Sequence, residues 1–66
     1  MLPRSGDVLK VTRSANVQFG EPMLFRVIRV HDWEADDGWA WLEGYQLDAA
    51  GDAVRKRSIY VQLNGL

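Results

Sequence analysis

The 66-residue sequence predicts an all-β domain of about five short antiparallel strands. Two turn signals closed by glycine, Asp36-Asp37-Gly38 and Ala49-Ala50-Gly51, each separate runs rich in β-branched and aromatic residues. No window carries the apolar period of an amphipathic helix. The length allows one domain, residues 1–66, which buries only about 60% of the surface its unfolded chain exposes.

Taken in order, Gly6 introduces DVLKVTR (7–13), a short alternating first strand. SANVQFGEP (14–22), ending in Gly20 and Pro22, reads as a long irregular loop or a weak edge strand. LFRVIRVHDW (24–33), WAWLEGYQLD (39–48) and AVRKRSIYVQL (53–63) then form a three-stranded meander around the two turns. Gly38 and Gly51 occupy the last loop position, where a three-residue hairpin loop needs positive φ.

These loops imply registers. With Asp48 opposite Asp52, Glu43 faces Arg57, Tyr45 faces Arg55, Trp41 faces Ile59 and Trp39 faces Val61. With Ala35 opposite Trp39, Trp33 faces Trp41, His31 faces Glu43 and Arg29 faces Tyr45. One sheet face then carries aromatics at one end and charges at the other, and the opposite face carries Ile28, Val30, Ala40, Leu42, Gly44 and Tyr60. Neither face is purely apolar, so a bulge is expected at Gly44 or Ser58. Trp41, central in its strand, is the expected core tryptophan, whereas Trp33 and Trp39 flank the EADDG loop at an exposed rim.

GDVLKV, the two glycine-closed hairpins and the terminal VQLNGL together resemble the SH3-like small barrel over nearly the whole chain. The chain is also similar to short proteins of actinobacteria. The barrel resemblance implies an antiparallel barrel of about five strands and leaves the function to the site it carries.

Charge is distributed unevenly. Residues 1–31 hold five bases and two acids, residues 32–52 seven acids and no base, and residues 53–66 three bases and no acid, which sums to a net charge of −1. Such a balance provides no domain-wide field for nucleic acid or membrane. The chain has no cysteine, residues 1–15 lack the apolar run of a secretory signal, and no stretch approaches the ~18 apolar residues of a membrane span. A soluble cytoplasmic protein without membrane contact is therefore expected.

Catalysis and metal binding find little support. There is no phosphate-cradling glycine loop and no nucleophile elbow, and His31 is the sole histidine, which rules out the usual zinc donor sets. Asp32, Glu34, Asp36 and Glu43 match positions one, three, five and twelve of a calcium loop, but Asp37 stands where that loop requires glycine and the flanks read as strands. No enzyme, cofactor or metal is expected.

A rim of indoles beside carboxylates suits a cation or a proline-rich segment. The expected activity is a non-catalytic binding module for a protein or peptide, or for another copy of the chain. Its expected site is Trp33, Trp39, Tyr45, Asp36 and Asp37, with Arg55 and Arg57 along the adjoining edge. The second reading is a nucleic-acid-binding barrel that uses Arg55, Lys56 and Arg57 with neighbouring aromatics.

Overall fold

In the computed structural model, which describes residues 2–66, the chain forms four antiparallel strands in one sheet of order β1-β2-β3-β4. They are β1 (Val8–Val11), β2 (Met23–Val30), β3 (Trp39–Leu47) and β4 (Ala53–Gln62), followed by a 3₁₀ turn at Leu63–Gly65. Four strands thus replace the five expected, and the sheet is open. The residues between β1 and β2 stay irregular because Gly20 and Pro22 interrupt any ladder there. No helix among the described residues is long and apolar enough to cross a membrane.

One face of the sheet holds the core. Met23, Phe25 and Val27 of β2, Ala40 and Leu42 of β3, and Ile59 and Val61 of β4 pack with Val11 of β1. Ala15 and Phe19 from the irregular segment close over them as a lid. That segment is fastened to the far edge of the sheet, where Gln62 N–H donates to the Ala15 carbonyl at 2.7 Å and the Asn16 amide donates to the Tyr60 carbonyl at 2.9 Å. The two bonds satisfy part of β4's free edge, which would otherwise present unpaired backbone groups.

Both hairpin glycines adopt positive φ, 79° at Gly38 and 88° at Gly51. The second loop forms as the sequence predicts: Asp48 N–H donates to the Asp52 carbonyl at 2.9 Å, and Gly51 N–H to the Asp48 carbonyl at 2.9 Å. The expected register beyond it does not. A bulge pairs Leu47 with Ala53 but Gln46 with Arg55, so Val54 is an extra residue and every later pair slips by one. Glu43 therefore faces Ser58, Tyr45 faces Lys56, Trp41 faces Tyr60 and Trp39 faces Gln62.

The first hairpin is corrected as well. β2 ends at Val30, so His31, Asp32 and Trp33 lie outside the strand, although His31 N–H still donates to the Trp41 carbonyl at 2.8 Å. Arg29 faces Glu43 instead of Tyr45, because the strands are joined by the long connection 31–38 and their first ladder pair is Val30–Leu42. A bulge between Val27 and Arg29, which leaves Ile28 unpaired, shifts only the pairs beyond it, so that Val27 faces Gly44. This bulge sits on β2, across from the expected position at Gly44, and Ser58 has none. Gly44 is needed for a different reason: a Cβ there would meet the Arg26 carbonyl and lie 2.7 Å from the Phe25 ring. Phe25 covers the glycine and fills the space a side chain would take.

Candidate functional site

The register slip turns every other β3 residue away from the core. Trp39, Trp41, Glu43 and Tyr45 share the open face with Lys56, Ser58 and Tyr60 of β4. Trp41 is thus half-buried on the outer face and is not a core residue, and Tyr60 moves to the same side. The core is built without tryptophan.

Five rings form a continuous strip on this face. His31 stacks on Trp33 with centroids 3.7 Å apart and planes within 4°. Trp33 meets Trp41 edge-on at 5.5 Å, Trp41 lies 4.8 Å from Tyr60, and Tyr60 stacks with Trp39 at 4.9 Å. Trp33, on the irregular segment after β2, remains 52% exposed. Such offset and edge-on pairs stabilise one another by about 0.5–1.5 kcal/mol beyond burial, so the strip holds its shape without a partner.

Polar contacts fix its ends. Tyr60 hydroxyl donates to Asp36 Oδ2 at 2.7 Å and accepts from the Asp36 N–H at 2.9 Å. His31 Nε2 and Ser58 Oγ share a hydrogen bond of 3.0 Å. The Asp36 N–H favours the phenolate, but burial and the Asp36 carboxylate outweigh it and raise the Tyr60 pKa. Asp32, Glu34 and Asp37 stand exposed on the same segment as Trp33 and Asp36. An open hollow of about 370 Å³ lies beside the His31–Trp33 stack, lined by Arg29, Val30, His31, Asp32 and Trp33.

Beyond the rings the face becomes charged. Glu43 Oε1 accepts from Arg29 Nε at 2.7 Å, and Glu43 Oε2 lies 3.3 Å from Lys56 Nζ. Burial opposes ionisation of Glu43, yet the bonds to Arg29 and Lys56 prevail and lower its pKa. Tyr45 lies one pair further along, between Arg26 and Lys56.

Of the expected site residues, Trp33, Trp39, Tyr45, Asp36 and Asp37 share this end or face, while Arg55 and Arg57 do not join them. Arg55 faces Gln46 and Arg57 faces Gly44, on the core side of the sheet. Their guanidinium groups bond Gln46 Oε1 at 3.3 and 3.1 Å. His31, Trp41 and Tyr60 are the members that sequence reasoning missed. Among the described residues no three His, Asp or Glu side chains group closely enough to hold a metal ion. No family model matches the chain, nor does any curated protein or solved structure.

Proposed function

We propose that this domain is a non-catalytic, cytoplasmic binding module that lays an extended segment of a protein partner, bearing proline or a basic side chain, across the five-ring strip. The observation that carries this reading is the unbroken run His31–Trp33–Trp41–Tyr60–Trp39 on an open sheet face. Trp33 is exposed and the other four rings half-buried, so the strip offers stacking surface to proline and a negative π-face to a cation. The carboxylates of Asp32, Glu34 and Asp37 at the same end favour a positive ligand and repel phosphate.

A nucleic-acid tract receives less support. Lys56 points to the opposite face from Arg55 and Arg57 and is engaged by Glu43, so the three bases do not line one groove.

The test is a titration of labelled protein with proline-rich peptides that carry one arginine, followed by indole N–H shifts. Saturable shifts of the Trp33, Trp39 and Trp41 indoles are expected, with binding about tenfold or more weaker in Trp33→Ala. A peptide-indifferent face would overturn this reading, and a dimer that protects Trp33 at micromolar concentration would replace it with self-association.

A further inference from the structure

Arg55 and Arg57 converge on the Gln46 amide oxygen, at 3.3 and 3.1 Å, and neither meets a carboxylate. Among the described residues the ion pairs are Arg29–Glu43 and Lys56–Glu43, both on the opposite face of the sheet. Gln46 is a neutral acceptor, so two like charges are gathered by a group that cancels neither. Arg57 is also held in place. Its guanidinium lies 5.8 Å from the Phe19 ring centroid and its Nη1 is 3.8 Å from Met23 Sδ, at the open end of the core. Burial, and after it the Arg55 charge, lower the Arg57 pKa.

Each arginine has five N–H donors in a planar fork. Arg55 spends one of them on Gln46, and Arg57 spends its bonds on Gln46 and Met23, so the other donors of each fork have no hydrogen-bond partner among the described residues; Arg55 is exposed and Arg57 half-buried. Two forks fixed side by side on a β-strand, two residues apart, match a tetrahedral dianion better than a single carboxylate, because each fork can take two oxygens.

We propose that Arg55 and Arg57, braced by Gln46, form an anion site for a phosphate group, on the face opposite the aromatic strip. A phosphate monoester carries ≈ −1.5 to −2 charge at neutral pH, which offsets the charge of the pair. Its source is either free inorganic phosphate or a phosphorylated side chain of a protein partner. The site is independent of the strip and stands whether or not the strip binds peptide.

Arginine Nε–Hε signals followed by NMR during titration, at constant ionic strength and neutral pH, test the site. The arms are inorganic phosphate, a short phosphoserine peptide, its unphosphorylated form, and a single-stranded oligonucleotide. The Arg55 and Arg57 signals should shift saturably with inorganic phosphate while the indole signals stay still. Tighter binding of the phosphopeptide assigns the source to a partner protein, and equal or weaker binding assigns it to free phosphate. Gln46→Glu supplies an internal carboxylate between the forks and should weaken phosphate at least about tenfold while raising the melting temperature. Arg57→Gln should lose binding with its indole spectrum unchanged. Non-saturating shifts, or wild-type affinity in Gln46→Glu, overturn the proposal. So does an oligonucleotide that moves the Arg55 and Arg57 signals and binds more tightly than phosphate and phosphopeptide, because that outcome describes a nucleic-acid surface.

Discussion

Tyr60 and Asp36 hold each other twice, through a hydroxyl donated to the Asp36 carboxylate at 2.7 Å and an Asp36 N–H donated back at 2.9 Å. One side chain of β4 thereby anchors the whole segment that bears Trp33.

Tyr60→Phe should free that segment while the sheet survives. Trp33 emission is expected to shift to the red, with greater acrylamide quenching. The wild type should also lose stability at high pH. A phenol whose pKa is raised by folding contributes below its unfolded pKa of about 10 and loses that contribution as pH rises through the folded value. Thermal melts across the alkaline range should show this loss in the wild type and not in the variant.

Glu43 gives the opposite sign. Its carboxyl pKa is lowered in the fold, so its contribution is present above the unfolded carboxylate pKa and fades as pH falls through the folded value. Glu43→Gln should flatten the acid limb of the stability curve, as read from melting temperatures in acid buffers of fixed salt.

Gly44→Ala should be among the most damaging small substitutions in the chain. The new methyl group would press on the Arg26 carbonyl and the Phe25 ring, neither of which can move without disturbing β2. A loss of about 3 kcal/mol is expected, the upper end for overpacking and a large part of the stability of so small a domain. Urea melts measure it directly, and a loss below about 1 kcal/mol would show that Phe25 can swing away.

Core and face can be separated by comparing Leu42→Ala with Trp41→Ala. Leu42 is fully buried among Val27, Ile59 and Phe25, so its truncation should cost about 2–5 kcal/mol. Trp41, half-exposed on the outer face, should cost less in stability and more in peptide affinity. A larger stability loss for Trp41 would place it in the core after all.

Most of the turn chemistry was legible in the sequence. Gly38 and Gly51 mark both hairpins, β3 starts at Trp39 as expected, and the irregular stretch through Gly20 and Pro22 is irregular. The faces were not legible from the loops, because loop geometry counts residues and a bulge adds one invisibly. A stronger signal lay within β4: Ile59 and Val61 alternate with Ser58, Tyr60 and Gln62, and matching that apolar pair to Leu42 and Ala40 places the tryptophans outside. The end of β2 at Val30 had no local signal. The Tyr60–Asp36 bonds that hold the following segment come from residues 24 positions apart.

Val54, the unpaired residue of β4, sets which side of that strand meets the core. Drawing it into the ladder would roll β4 over, turning Ile59 and Val61 toward water and Tyr60 toward Phe25. Deleting it would do no such thing. Ala53 and Arg55 would become neighbours, still opposite Leu47 and Gln46, and every later pair would keep its partner. The hairpin therefore carries one residue of slack at this point, which the chain can lose while its core stays in phase.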